Sequence, residues 1–167
     1  MTSNPGYLIR RSSESDYIAL REIRLEALKD SPDAFGSTFE ECEKWRPERW
    51  KEMASGNCYL AEIDGEVVGM STGGLNTQFP GTFWLFGMFV SPKARGTGVA
   101  SELVSIVESW AREHGGTELY LHVTESMVRA RAFYKKIGFN LNGGSVTMDR
   151  DTSIKLVTMV KKLDYYI

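Results

Sequence analysis

The 167-residue chain contains only two cysteines and two histidines. Cys42 and Cys58 are too far apart for a Cys-x-x-Cys metal or redox motif, so we interpret them as two reduced cysteines. The two histidines, His114 and His122, are too few to form a metal site by themselves. We therefore predict a cytoplasmic protein that binds no metal.

Long apolar segments and long basic runs are also missing from the sequence. No apolar run approaches the length that spans a bilayer, and the first five residues lack the charged and apolar regions of a signal peptide. The formal net charge is −2, which argues against nucleic acid as the main partner. We predict that the protein works without a membrane and without nucleic acid.

The composition is that of a folded domain, with 42% hydrophobic and 25% charged residues. This apolar content is sufficient for a real core, and the length fits one domain spanning residues 1–167. The sequence shows no internal repeat and no low-complexity segment that would divide the chain.

Apolar periodicity and turn residues predict an alternating order of strands and helices. Asp64-Gly65 lies between two strand-like runs and predicts a hairpin. Residues 73–81 begin and end with glycine and are predicted to be a turn region. The element order indicates an α/β fold, a mixed sheet of six to seven strands with about four helices on both faces. The predicted strands are 7–10, 58–63, 66–71, 82–90, 118–123, 139–144 and 153–163, and the predicted helices are 17–29, 47–54, 99–112 and 126–136.

The most informative stretch joins an apolar strand to a long helix. Ser91-Pro92 ends the strand, because proline has no N–H for a neighbouring strand. Arg95, Gly96 and Gly98 follow, and the helix after them repeats apolar residues at i, i+4, i+7, i+8 and i+11. Glycines let the backbone approach a ligand closely, and the free N–H groups of a first helical turn attract an anion. This stretch predicts a pyrophosphate-binding loop.

Two common phosphate-binding patterns do not fit this loop. Ser101 stands where the dinucleotide-binding pattern requires its third glycine, and the Gly-Lys-Ser/Thr of a P-loop is absent. The run Arg95-Gly96-Thr97-Gly98-Val99-Ala100 instead resembles motif A of the GNAT superfamily of N-acetyltransferases, which reads Gln/Arg-x-x-Gly-x-Gly/Ala.

A second stretch resembles motif B of the same family. That motif reads roughly Leu-x-Val-x-x-x-Asn-x-x-Ala-x-x-Phe-Tyr-x-x-x-Gly-Phe, and residues 121–139 match it at every position except one. Met127 stands at the asparagine position, where family members contact the cofactor or steady the site. Ser126 and Arg129 are the candidates to replace that contact.

The resemblance implies a fold whose two central strands, 82–90 and 118–123 here, splay apart to admit acetyl-CoA. The pantetheine arm of the cofactor pairs with the first of these strands like an added strand. Gly87 is a candidate bulge that opens the sheet. The cofactor-binding residues implied by the resemblance are Met88, Phe89, Val90, Arg95, Gly96, Thr97, Gly98, Val99, Ala100, Ser126, Arg129 and Phe133.

The implied reaction is direct attack of a neutral primary amine on the thioester. By resemblance, Tyr134 is the general acid that protonates the leaving thiolate. The strand 82–90 carries no acidic residue, although many relatives place their base there. Glu41 or Glu40 is the first candidate for the base, because the corresponding loop forms one wall of the acceptor site in the family. The alternatives are Glu26, Asp30 and an ordered water relay.

The acceptor stays open, as either a small-molecule amine or a peptide or protein amine. Its contacts are expected from the variable segments 32–56 and 75–81.

His122 is interpreted as a hydrogen-bonded interior or cleft residue rather than a catalyst. A competing hypothesis is a catalytically silent acyl-CoA-binding sensor or interaction module, motivated by Met127 and the missing strand glutamate. Family members often dimerise, so a homodimer is also expected.

Overall fold

A computed structural model describes residues 3–4 and 6–165, and its strands form one mixed sheet in the order β1-β2-β3-β4-β5-β6-β8-β7. The strands are β1 (Ser3–Asn4), β2 (Tyr7–Arg11), β3 (Cys58–Ile63), β4 (Glu66–Asn76), β5 (Phe79–Val90), β6 (Glu118–Thr124), β7 (Asn140–Met148) and β8 (Asp151–Lys162). The helices are α1 (Tyr17–Asp30), α2 (Phe39–Glu43), α3 (Pro47–Ala54), α4 (Val99–Glu113) and α5 (Val128–Lys136). The predicted α/β mixed sheet is confirmed, with short α2 and two-residue β1 as additions in the described part of the chain.

The sheet separates two apolar cores. On β3, Tyr59 and Ala61 pack in one core, whereas Cys58 and Leu60 pack in the other, because successive side chains of a strand point to opposite faces. The first core is closed by α4 and α5, and the second by α1, α2 and α3. The prediction of helices on both faces is therefore confirmed.

The turn predicted over residues 73–81 is present but much shorter, because only residues 77 and 78 lie in a turn between the two strands. β4 runs through Gly73 and Gly74 to Asn76, and β5 already begins at Phe79. A Cβ atom on Gly73 would lie 2.6 Å from Cε3 of Trp110, and one on Gly74 would lie 3.1 Å from Cε2 of Phe86. These two glycines make room for aromatic rings within a strand rather than bending the chain.

The central strands β5 and β6 are parallel but pair only at their beginnings. Phe83 pairs with Leu119 and Trp84 with Tyr120, and no further pair joins the two strands in the described register. Further along β5, the pairing with β4 slips by one residue around Gly87, whose φ is +56°. The extra residue is a β-bulge, which bends β5 where it leaves β6. The expected splay and the bulge at Gly87 are both present.

Candidate functional site

The loop before α4 has the backbone shape of an anion-binding site. Gly96 and Gly98 have φ of +80° and +92°, values at which a side chain would be strained. Gly98 is the residue that caps α4, so the first-turn N–H groups begin directly after it. The glycine spacing therefore reflects a local backbone requirement, and the helix dipole adds a positive end at the same place.

A cavity of about 610 Å³, called the first cavity here, adjoins this loop. Its walls come from the end of β5, the loop and start of α4, the first turns of α5 and residues 30–35. Three cationic side chains and one carboxylate line it, namely Arg95, Arg129, Lys136 and Asp30. The excess of positive charge suits a ligand that carries several phosphate charges.

Nine of the twelve residues expected to bind the cofactor line the first cavity: Met88, Phe89, Val90, Arg95, Gly96, Gly98, Ala100, Arg129 and Phe133. The other three do not. Thr97 Oγ1 donates to the Ala94 carbonyl within the loop, Val99 is fully buried in the core, and Ser126 is exposed outside the cavity. Met127, at the asparagine position of the motif, lines the cavity itself.

The arginine of the loop has a carboxylate partner. Arg95 Nη2 donates to Asp30 Oδ2 at 3.0 Å, and Ser31 Oγ donates to the same oxygen at 2.7 Å. The Ser31 hydroxyl, followed by the Arg95 charge, lowers the pKa of Asp30 below its usual range. Asp30 is consequently ionised at neutral pH and orients Arg95, which makes it a poor proton acceptor for catalysis.

A larger cavity of about 920 Å³, called the second cavity, opens where β5 and β6 part. The two cavities share six lining residues, Ala34, Phe35, Met88, Met127, Ala130 and Tyr134. The second cavity also receives side chains from α1, β4, β6, β8 and the β7–β8 turn. A long ligand in the first cavity can therefore present its end to a second ligand in the other.

Tyr134 lies at this junction. Its side chain is 9% exposed and packs edge-on against the rings of Phe133 and Phe139. Burial raises the pKa of the Tyr134 hydroxyl well above its ordinary value, because the phenolate would be poorly solvated. The group is thus a protonated donor at every physiological pH.

His122 faces the second cavity from β6. Its Nδ1 lies 3.2 Å from Oγ1 of Thr158 across the strand pair, and its ring packs on Trp84 with centroids 4.5 Å apart. Burial lowers the pKa of His122, so the imidazole is neutral near pH 7 and able to accept a proton. The sequence predicts His122 as a hydrogen-bonded interior or cleft residue rather than a catalyst, because alternation along a strand does not show which face borders a cavity.

Glu40 and Glu41, the first candidates for the base, lie outside both cavities. Glu41 caps its own helix: the Thr38 N–H donates to its Oε2 at 3.2 Å, and its N–H donates to Thr38 Oγ1. Threonine followed three residues later by glutamate is a capping-box signature that the sequence already contained. The alternative Glu26 accepts a hydrogen bond from Ser91 and also lies outside both cavities.

The segment at residues 32–35 contributes Ala34 and Phe35 to both cavities and is held by long-range hydrogen bonds. Thr124 Oγ1 donates to the Asp33 carbonyl at 2.6 Å. Arg150 lies in the β7–β8 turn. Its Nη2 donates to the main-chain carbonyl of Pro32 at 2.6 Å, and its Nε donates to the main-chain carbonyl of Phe35 at 3.1 Å. These contacts join residues more than ninety positions apart, so sequence patterns could not indicate them.

Comparison with known proteins gives consistent matches over most of the chain. The family model described as Acetyltransferase (GNAT) family matches residues 20–139. An uncharacterized N-acetyltransferase of Methanocaldococcus jannaschii is 30% identical over 135 residues, which cover 79% of this chain and 77% of that protein. N-acetyltransferase family 8 member 2 of Rattus norvegicus is 34% identical over 94 residues, 54% of this chain but only 41% of the rat protein's length.

The fold also matches a solved structure along nearly its whole length. The structure of yncA from Salmonella typhimurium with its cofactor acetyl-CoA superposes with a TM-score of 0.76 at 20% identity, covering 99% of this chain and 97% of the other. Among the described residues, no helix has the length and apolar character needed to cross a bilayer.

Proposed function

The chain belongs to the GNAT family of acetyl-CoA-dependent N-acetyltransferases, and from this premise we propose that its two joined cavities bring acetyl-CoA and a primary amine together. One observation carries the proposal. Met88, Met127 and Tyr134 border both cavities at the point where β5 and β6 separate. A thioester that reaches this point through the first cavity would meet an amine entering through the second.

The cofactor would occupy the first cavity in an extended form. Its diphosphate would accept hydrogen bonds from the N–H groups at the start of α4, with Arg95 supplying a charged fork. Arg129 and Lys136 are suited to the phosphate on the ribose of coenzyme A. The pantetheine arm would run along Met88–Val90, whose backbone has no β6 partner in the described register.

The reaction needs a neutral amine whose nitrogen attacks the thioester carbonyl carbon. A C–N bond forms and the C–S bond breaks, so the leaving sulfur requires a proton while the new amide nitrogen must lose one. We assign the donor to Tyr134, because its hydroxyl stays protonated and lies at the junction. Backbone N–H groups at the β5 bulge would stabilise negative charge on the carbonyl oxygen.

We assign the proton acceptor to His122, directly or through a water molecule. It is a neutral base that lines the second cavity, whereas Glu40 and Glu41 lie outside it. This role requires the tautomer in which Nδ1 donates its hydrogen to Thr158 Oγ1, 3.2 Å away, because Nε2 is then the ring nitrogen that accepts the proton. Exchange with solvent returns a proton to Tyr134, and the net products are an N-acetylated amine and coenzyme A thiol.

A cytoplasmic location, a homodimer and a single domain over residues 1–167 remain predictions alongside this mechanism. The acceptor is an amine small enough for a cavity of about 920 Å³, or the end of a longer molecule that enters it.

The test is to incubate the purified chain with acetyl-CoA and a broad amine panel, following thiol release and identifying acetylated products by mass spectrometry. We expect one thiol released for each amide formed. Calorimetric binding of coenzyme A without turnover of any amine would instead favour the silent sensor, and absence of coenzyme A binding would refute both.

A further inference from the structure

Arg24 is a half-buried cation that projects from α1 into the second cavity. Its guanidinium lies near two aromatic rings, with Cζ 5.7 Å from the centre of Phe35 and 5.8 Å from the centre of Trp45. Such contacts favour a cation and hold its planar group in a fixed orientation. Arg24 is therefore preorganised rather than mobile in solvent.

Within the part of the chain that the structure describes, no carboxylate pairs with this guanidinium. Its Nε is buried and makes no hydrogen bond to any described residue. By contrast Arg10, also half-buried, is paired with Asp16 at 2.7 Å and with Glu62 at 2.9 Å. Arg24 lines the second cavity and has no ion-pair partner among the described residues, so the difference points to an anion that enters this cavity from outside the chain.

The place of Arg24 within the cavity limits what that partner is. Its Nη1 lies 3.8 Å from the position that a Cβ atom on Gly87 would occupy. Gly87 is the bulge residue directly before Met88, which borders both cavities, so this guanidinium nitrogen lies within roughly 7–8 Å of Met88 at the junction. A hydrogen bond to a carboxylate oxygen spans about 3 Å of that distance. An acceptor that fits must carry its amine and its anionic group very close together.

We propose that the acceptor is a free α-amino acid whose carboxylate binds Arg24 while its amine faces the thioester. This inference rests on the proposed acetyltransferase function and names its substrate class. An α-amino acid carries both groups on one carbon, and a guanidinium binds a carboxylate through two parallel hydrogen bonds. Polycationic amines are disfavoured, because they would place like charge beside Arg24.

The remaining walls suggest which amino acids fit best. Besides Arg24 and His122, polar residues such as Thr72, Asn76 and Asp149 line the second cavity, but much of its wall is apolar and includes Met53, Leu85, Phe86, Leu121, Val146 and Leu156. A side chain that leaves the α-carbon would contact these groups, so apolar and aromatic amino acids are expected to be preferred over charged ones.

The experiment compares matched acceptors and matched variants. Each amino acid is assayed beside its carboxamide and beside the amine that lacks the carboxyl carbon, with β- and ω-amino acids as spacing controls. The variants are Arg24→Met, which keeps the packing against Phe35 and Trp45, and Arg24→Lys, which keeps the charge but not the fork. Coenzyme A affinity, measured by calorimetry, reports whether each variant is folded with an intact first cavity.

In the wild type we expect kcat/KM for the acid to exceed that for its amide by roughly 10-fold or more, as a charge-assisted hydrogen bond allows. Arg24→Met should remove this preference and leave coenzyme A affinity unchanged, and Arg24→Lys should recover part of it. Equal turnover of acids and amides in the wild type would overturn the proposal. A proportional loss for every amine in Arg24→Met would also overturn it, because Arg24 would then serve the thioester instead.

Failure of the proposed function has a different signature. If no amine of the broad panel is acetylated, the acetyltransferase proposal fails, and the Arg24 site is judged by calorimetric titration of the same amino acids into the coenzyme A complex. Binding that Arg24→Met abolishes would support the carboxylate site on its own. Absence of binding, or turnover of peptides only, would contradict it.

Discussion

The two cavities meet at the parted strands, yet they are built from different parts of the chain. The first is lined mainly by consecutive residues at the end of β5, in the loop 95–100 and in α5, and its anion site consists of backbone N–H groups. The second is lined by side chains from α1, β4, β6, β8 and the β7–β8 turn. A common cofactor can thus be held by a local backbone shape, whereas acceptor choice depends on side chains that distant segments contribute.

The largest effect is expected at the junction, from Tyr134→Phe. Removing the proton donor should lower kcat by roughly 10²- to 10⁴-fold. Coenzyme A affinity should be unchanged, because the ring packing against Phe133 and Phe139 remains. Steady-state kinetics at saturating acetyl-CoA, together with calorimetry, measure the two quantities. An unaltered kcat at every pH would remove Tyr134 from the mechanism.

A change confined to the first cavity should act on the cofactor alone. Arg95→Glu replaces a charged donor by an anion beside the diphosphate, so the Kd for coenzyme A should rise roughly 10- to 100-fold. Lys93→Glu is the matched control: Lys93 lies two residues earlier, pairs with Glu66 and does not line the cavity. Calorimetry in the same buffer compares the Kd for coenzyme A of the two variants. Equal losses in both variants would mean that general charge, and not the loop geometry, attracts the cofactor.

A substitution at Arg150, which does not line the second cavity, should make that cavity less rigid. Arg150→Ala removes two hydrogen bonds to the segment at residues 32–35, so we expect stability to fall by about 1 kcal/mol and Tm by roughly 2–4 °C. The KM for the acceptor should rise more than the KM for acetyl-CoA. Thr124→Val, which removes a bond to the same segment from β6 but changes a residue that itself lines the second cavity, should act in the same direction. If neither variant alters the acceptor KM, this segment does not shape the second cavity.

The smallest effect concerns the pH dependence of stability. Burial lowers the pKa of His122, so below about pH 6.5 the unfolded chain takes up a proton that the folded chain resists. The free energy of unfolding should therefore decrease as pH falls through this range, and His122→Gln should weaken the decrease. His114→Gln, at the exposed end of α4, is the control. Urea unfolding at pH 7.5 and pH 5.5 gives the free energy of unfolding at each pH. The same decrease between these two pH values in the wild type and in His122→Gln would contradict the prediction.

The loop and the elements around it could be predicted from the sequence because their causes are local. Positive φ at Gly96 and Gly98 follows from residues within a few positions, and the apolar period of α4 selects its buried face. The hairpin at Asp64-Gly65 is local in the same way, with φ of +51° and +78°. The positions lining the first cavity largely follow from these elements.

The remaining features depend mostly on non-local contacts. Paired glycines predict a turn at Gly73-Gly74, and only the packed structure shows Trp110 and Phe86 against them. Glu41 stays an untested candidate for the base, although its cap with Thr38 is a local signal that favours a structural role. His122 and Arg24 gave no usable pattern, since a single polar residue on a strand or helix looks the same whether it faces solvent or a cavity.

The sequence by itself therefore determined that the strands form a mixed sheet, which face of each helix is buried, and where the glycine loop lies. It also placed Tyr134 on the short helix α5 that follows β6. Only the tertiary structure decided which side chains surround the space between β5 and β6, and that Arg24 meets this space without a carboxylate partner among the described residues. The physical reason is the sequence separation of the interacting residues. Backbone conformation and helical periodicity depend on neighbours in the chain, whereas a cavity and its charge depend on distant residues that folding brings together.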